Sequence, residues 1–543
     1  MKFIPGKRYI LSSLEERSKL IFPVAWDMSE AEKLSGLKKA GRPAYDEQDV
    51  NRFYGDLWLL DQVAKKTGIR EDLMKVFWGN REIVDDILTL SMFGYVTGFS
   101  YNRVVRWQRL AKSLSDRDLT ATYITRLTQS ITERHRMDLF RLRAGRLGKE
   151  ELCAVDSTSR SAYGKTLADI HWGKNKEHIP LEQTVEVVVY TLEGHMPVYY
   201  RTFPGNIPDS RSLATILTDL QHANFHNVVL VTDRGYESLR NLERYIREGQ
   251  AMIMCVKAGQ KTVTDKIRAF GHFDSHPAEM DLDIDTNIYS KQYVLKYRVE
   301  GNGTAIIEAD RLKLNLYFDP VRRSTELVEL EKSILIQRKA LEEIQSAGLP
   351  LDDDTSIRKN YCYFLVEYSK TDRKLTSFSL NDKKVDTTRL TSGFYALVTH
   401  RIDYPAQKVL ATYKLRDEQE KYFQQMKGQM SSDRQRNWSE EGKTGRLFIL
   451  FVSMILGSYV RHIWKSTELH KKFSSSLEVL DEMRSIRCVE HTGKAKHITP
   501  FVGAQLDVCK AFGFPIPKGC EPAYISKQKS ERKRGRPSKK RLQ

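Results

Sequence analysis

Apolar positions recur at helical spacing over residues 50–65 and 83–95, and the arginine-rich stretch 101–148 keeps a helical period. Residues 1–149 therefore read as a helical region, broken by a loop at Ala40-Gly41-Arg42-Pro43. At residue 150 the period changes. Short apolar runs at 151–159, 184–194, 196–203, 226–236 and 251–257 have the length and β-branched content of strands. Helical stretches at 204–223 and 237–248 separate the later runs, the first with Asp209 or Ser210 as its N-cap. The order is β-β-β-α-β-α-β. Residues 258–405 interrupt it with further β-like runs (QYVLKYRVE, RLKLNLYFD, YCYFLVEYS, FYALVTH). They also hold one amphipathic helix at 324–346, with Leu327, Leu330, Ile334 and Leu341 at helical spacing. The helical period returns at 406–430 and again over 440–526. Within the latter, the apolar run 447–460 is too short for a bilayer and reads as a buried core helix.

That order of elements is the order of ribonuclease H-like folds. The expected fold is α/β: a ribonuclease H-like mixed sheet with a mostly β insertion domain, flanked by helical N- and C-terminal regions. The core comprises 150–257 plus 406–435, the insertion 258–405, and the C-terminal helical region 436–526. In such sheets, loops at strand ends converge on a crevice that holds the site.

Two aspartates fall where that crevice is expected. Asp156 (AVDSTS) and Asp233 (LVTDRGY) each follow an apolar β run directly. A third carboxylate comes from YKLRDEQEKYFQQMKGQM, where Tyr413, Arg416, Glu420 and Lys427 are spaced by 3, 7 and 14 from the first. On a continuous α-helix these fall at about 300°, 340° and 320° from the start, so all four share one face. A face with a phenol, a guanidinium, a carboxylate and an ammonium suits a phosphodiester rather than a core. Arg416 would hold a phosphate bidentately and Lys427 as a point charge, on different phosphates, since Lys427 lies roughly 10 Å along the axis from Glu420. Tyr413 would bond a phosphate or position a carboxylate. Three converging carboxylates repel without a cation, and hard oxygen ligands select Mg²⁺ or Mn²⁺. Asp156, Asp233 and Glu420 are thus the candidate catalytic and metal-holding residues. Two ions about 4 Å apart would activate water or a 3′-hydroxyl and stabilise the leaving oxygen.

Charge points the same way. The 543 residues carry a formal +18, with a sequence pI of about 9.4, which favours a polyanionic partner such as nucleic acid. The basic helical region 1–149 is the candidate DNA-end-binding domain. The tail 527–543 contains Lys533-Arg534-Gly535-Arg536-Pro537, an AT-hook-like sequence whose Arg534 and Arg536 suit a narrow A·T minor groove. Six scattered cysteines without a CxxC pair fit free thiols in a reducing cytoplasm. Cys488, His491, His497 and Cys509 are too irregularly spaced for a zinc site. The opening MKFIPGKRYI lacks the long apolar stretch of a signal peptide.

These motifs together resemble the DDE transposases of bacterial insertion sequences, in the IS-four-like group with an inserted β domain. The resemblance rests on AVDSTS, HWGKNKEH (171–178), GNIPDS (205–210), VTDRGYES and the Y-R-E-K residues Tyr413, Arg416, Glu420 and Lys427, and covers about 150–435. It implies two Mg²⁺ ions in a ribonuclease H-like core, with Mn²⁺ able to substitute. It implies nicking at the terminal inverted repeats, then transfer of the freed 3′-hydroxyl to target DNA. Pairing two ends calls for a homodimer, acting in the cytoplasm on nucleoid DNA with no membrane partner. Many relatives form a hairpin and hold a flipped base on an aromatic residue, for which Phe394, Tyr395 and Trp438 are the candidates here. The alternatives are a metal-dependent DNA nuclease on the same fold, or an inactive transposase-derived DNA-binding protein. An RNA-processing enzyme is a remoter one, since no RNP-like strand or KH loop is present.

Overall fold

The computed structural model describes residues 49–162, 167–173, 181–269, 279–300, 306–429, 434–435, 439–491 and 496–522. Arg534 and Arg536, the Gly41-Arg42-Pro43 turn and Trp438 lie outside the described residues. The core elements are β1 (Leu152–Ala162), β2 (Gln183–Thr191), β3 (Met196–Pro204), α1 (Asp209–His222), β4 (Val229–Thr232), α2 (Leu239–Arg247) and β5 (Met252–Val256). They follow the order expected from sequence. Across the sheet the strands run β3-β2-β1-β4-β5, antiparallel on the β3-β2-β1 side and parallel through β1, β4 and β5. This is the ribonuclease H-like arrangement. Pro208, not Asp209 or Ser210, occupies the N-cap of α1, so Asp209 opens the helix where its charge suits the dipole.

Residues 258–405 lengthen the same sheet with β6 (Asp281–Asp283), β7 (Ile288–Val294), β8 (Lys313–Phe318) and β9 (Phe394–His400). β9 pairs antiparallel with β5, and the row continues β9-β8-β7-β6. Between β8 and β9 the chain builds a small unit around α3 (Pro320–Ala347), which begins four residues before the sequence reading. The Asp319 side chain caps it, with Pro320 next. Leu330, Ile334 and Leu341 pack with Phe364 and Val385 into a separate core.

The two faces of the sheet bury different sets. Cys153, Val155 and Leu230 pack toward Leu213, Ile216 and Leu217 of α1 in the main core. Leu152, Ala154, Val229 and Val231 face Val409 and Leu410 of α4 (Ala406–Lys414). The chain continues into α5 (Asp417–Gln424) and α6 (Glu440–Ser466). The apolar run 447–460 lies in α6, which is long and apolar enough to cross a membrane, yet its apolar residues there are mostly buried in the protein. Ser453 donates to the Ser91 carbonyl at 2.9 Å, and Ser91 to the Ile449 carbonyl at 3.2 Å, stitching α6 to the helix Arg81–Thr97. Two stretches read as helical contain strands instead. Asp49–Phe53 pairs antiparallel with Arg487–His491, which in turn pairs with His497–Ile498. Runs this short show no distinguishing period.

Candidate active site

Strand register brings the two aspartates together. In the parallel pair β1–β4, Val155 lies opposite Thr232, the last residue of β4. The next residues are Asp156 and Asp233, level with each other on neighbouring strands. Asp156 does not end its strand, as its apolar run implied. β1 continues to Ala162 because antiparallel β2 keeps pairing with it to Ser161 after parallel β4 has stopped. Asp156 follows Leu152 and Ala154 on the face covered by α4, so its carboxylate emerges where that apolar strip ends. The Ser157 amide donates to Asp156 Oδ1 at 2.8 Å.

The Y-R-E-K residues do not share one continuous helix. α4 ends at Lys414, α5 starts at Asp417, and Lys427 sits in a separate π-helical turn, Gln425–Gln429. The joint is overwound. Arg416 N donates to Tyr413 O at 3.2 Å and Gln419 N to Arg416 O at 2.9 Å, both three-residue steps. Such a step eclipses residues three apart, so Arg416 lies over the Tyr413 ring, 5.4 Å from its centre. Tyr413, Arg416 and Glu420 still converge. Lys427 goes elsewhere, within electrostatic reach of the buried Glu186, which is hydrogen-bonded to Arg160 at 3.3 Å.

Arg416 is the centre of the site. Its Nη1 lies 3.7 Å from Asp156 Oδ2, and its Nη2 lies 3.5 Å from both Asp233 Oδ1 and Glu420 Oε1. The arginine side chain is 10% exposed, against 11% for Asp156, 40% for Asp233 and 54% for Glu420. Asp233 and Glu420 thus open toward solvent, while Asp156 and the cation lie buried beneath them. Burial works against the guanidinium's charge, but Tyr413 and the carboxylates of Asp233, Asp156 and Glu420 outweigh it and raise its pKa. The Tyr413 phenol is also raised, by burial first and then by Cys255, so it stays protonated and donates to Asp233 Oδ1 at 3.2 Å.

Residues that the sequence reading passed over hold this arrangement. Gln419 is fully buried and donates to the Val188 carbonyl at 2.7 Å. Val188 is the residue opposite Asp156 on β2, so Gln419 ties the helix carrying Glu420 to the strand beside Asp156. The signal was available: Gln419 falls with Tyr422 and Phe423 on the buried stripe of α5, and a polar residue on such a stripe needs a partner. Glu418, on the far side of α5, pairs with Arg461 at 3.3 Å and Lys465 at 2.5 Å on α6. Gly235 lets the two motif loops meet: a Cβ there would come within 2.9 Å of Asp209 Oδ2.

A groove of about 760 Å³ opens beside Asp233, between the core and α3, with Arg234, Arg322 and Lys414 among its lining residues. Tyr395 also lines it. Its ring stacks on Tyr317 at 5.1 Å, and Arg322 lies 5.1 Å from its centre, while Phe394 is buried.

Among the described residues, no three histidine, cysteine, aspartate or glutamate side chains stand close enough together to enclose a metal ion. The donor chemistry nonetheless fits one. Three hard carboxylates surround the Arg416 guanidinium, whose buried Nη1 has no hydrogen-bond partner. The guanidinium stands in for positive charge that the carboxylates require.

Comparison with known proteins adds a family. Residues 147–456 match the family model described as "Transposase DDE domain". No curated protein matches the chain. Among solved structures, a cryo-EM structure of a piggyBac transposase synaptic complex with hairpin DNA overlaps 90% of this chain and 82% of that one. The identity is 10% and the TM-score 0.33, an overlap too loose to bear on the fold, which rests on the strand order.

Proposed function

The chain belongs to the transposase DDE domain family, and from that premise we propose that it binds the terminal inverted repeats of an insertion sequence, cuts at the ends and transfers the freed 3′-hydroxyls to target DNA. As a member of that family it is a DNA transposase, an enzyme that cleaves and joins DNA strands with divalent metal ions. The observation that carries the finer reading is the convergence of Asp156, Asp233 and Glu420 on one point from two adjacent strands and one helix.

In this reading those three carboxylates hold two Mg²⁺ ions, with Mn²⁺ as a substitute, because all the donors are hard oxygens. Ions bound there supply an activated water or 3′-hydroxyl and a stabilised leaving oxygen. The chain's own groups do the rest. Tyr413, held as a neutral phenol, orients Asp233. Arg416 and Lys427 take phosphates of the DNA backbone, and their separation puts those phosphates apart. Arg234, Arg322 and Lys414 offer a strand cationic contacts beside Asp233, in a groove whose lining also carries Asp319, Glu326 and Glu329. The active assembly is a homodimer pairing two ends. It works on nucleoid DNA in the bacterial cytoplasm, with residues 1–149 and the Arg534/Arg536 tail adding duplex contacts.

The test is a duplex carrying the element's own end, incubated with Mg²⁺ and the wild-type or Asp233→Ala protein. Cutting at the end by wild type alone, with joined products when target DNA is added, is the expected result. Cutting without joined products would reduce the activity to that of a nuclease. Specific binding without cutting in Mg²⁺ or Mn²⁺ would overturn the catalytic reading.

A further inference from the structure

Arg416 has two sets of anions to serve, and it cannot serve both at once. The Y-R-E-K reading gives it a DNA phosphate. In the structure it instead spans Asp156, Asp233 and Glu420, 3.5–3.7 Å from each. It reaches them from below: its side chain is nine-tenths buried, and Nη1 has no hydrogen-bond partner although an Asp156 oxygen lies 3.7 Å away. Those distances exceed a well-made charged hydrogen bond of about 2.7–2.9 Å. The arginine therefore offsets the carboxylates' charge without locking onto any one of them.

We propose that Arg416 is the resident counterion of the carboxylate triad, and that it must be handed to a DNA phosphate before divalent ions can enter. This rests on the reading of Asp156, Asp233 and Glu420 as the ion-holding set. The physical ground is electrostatic. Three carboxylates meeting with no cation repel one another. One guanidinium among them offsets part of that charge. A divalent ion arriving at the same oxygens meets a like charge held within 4 Å of each carboxylate. Either the ion stays out or the arginine leaves. A phosphate entering along the groove beside Asp233 gives the guanidinium a bidentate alternative. DNA and metal then bind cooperatively, because each removes an obstacle to the other. Arg416 on this account is a positioning residue that delays ion loading until DNA is seated.

The test is Mn²⁺ binding to the full chain without DNA, read from the loss of the free-Mn²⁺ electron paramagnetic resonance signal. Wild type is compared with Arg416→Met, Arg416→Lys and Arg416→Met/Asp233→Ala. The expected result is about tenfold or more tighter Mn²⁺ binding by Arg416→Met, as a screened like charge within 4 Å implies. Arg416→Lys should fall between it and wild type, and the gain should vanish in the double variant. Equal or weaker binding by Arg416→Met would overturn the proposal and leave the ion-holding reading standing. Absence of Mn²⁺ binding by all four proteins would overturn both. If Arg416→Met is unfolded in metal-free buffer, recovery of its far-ultraviolet circular dichroism on adding Mn²⁺ supports the proposal, and failure to recover overturns it.

Discussion

Gln419 is the place to ask whether the helix carrying Glu420 is held in position or merely rests there. It is fully buried, and its amide donates at 2.7 Å to the carbonyl of Val188, the residue across from Asp156. Gln419→Leu keeps the volume and removes the tether. The lost hydrogen bond costs about 1 kcal/mol net. The same substitution also removes the Gln419 Oε1, a buried acceptor with no partner, which itself costs about 1–3 kcal/mol. The two nearly offset, so global stability should stay within about 1 kcal/mol of wild type. Geometry is a different matter. Glu420 is the next residue, and a displacement on the order of 1 Å at a reacting group lowers a rate by roughly a hundredfold. Gln419→Leu should therefore melt near wild type while single-turnover cleavage of an end-bearing duplex falls by about tenfold to a hundredfold. Gln419→Ala should lose both, since the cavity adds about 2 kcal/mol or more. The assay pairs calorimetric melting with single-turnover cleavage in Mg²⁺. A Gln419→Leu protein that melts and cuts like wild type would refute the idea that this bond sets the position of Glu420.

Three further expectations follow from separate parts of the molecule. Lys427→Ala should weaken binding to specific and random duplexes alike and flatten the log–log salt dependence by about one unit, measured by fluorescence anisotropy from 50 to 300 mM salt; an unchanged slope would remove Lys427 from the phosphate contacts. His195 and His462 stack at 4.1 Å, and burial plus neighbouring cations lowers both pKa values, with Glu418 opposing. A lowered folded-state value means stability present above about pH 6.5, the unfolded value, and lost as pH falls through the folded value, so His462→Phe should shrink the drop in Tm between pH 7.5 and 5.5. Gly445→Ala would set a Cβ 1.9 Å from the Thr128 carbonyl oxygen on the helix Ala121–Ser130, where backbone cannot step aside, and should cost about 1–3 kcal/mol in thermal unfolding.

The core of the fold was legible because each of its elements advertises its period. The apolar runs ending near Asp156 and Asp233 are buried on both faces, which leaves continuous hydrophobic letters in the sequence. Register then does what composition does not: Val155 opposite Thr232 is a pairing fact, and it is what sets the two aspartates side by side. The helix carrying Glu420 was legible in type but not in shape. Helical spacing assumes one uninterrupted winding, and the three-residue steps at Leu415 and Arg416 break it. That break moved Lys427 from the triad toward Glu186 and laid Arg416 over Tyr413. Nothing in the letters marks the overwinding, because it comes from docking α4 on the sheet and α5 on Val188, two tertiary contacts made by neighbouring turns.

The separation of Asp233 and Glu420 by 187 positions raises the harder question of how a site survives so long an excursion. A flexible loop of that length would leave the third carboxylate unpositioned, since its ends carry only a closure penalty and no direction. The topology solves this with hydrogen bonds. The chain leaves the core at β5 and returns on β9, which pairs antiparallel with β5 from Ala396 opposite Val256 to His400 opposite Met252. The excursion therefore closes next to where it began, in register. Six residues after β9 ends, at Ala406, the chain starts α4, whose Val409 and Leu410 bury on the strip that ends at Asp156. Glu420 is placed by that short path and by Gln419, not by the length or content of what lies between. The small α3 unit, with its own apolar core, then walls the groove beside Asp233 without disturbing the carboxylates.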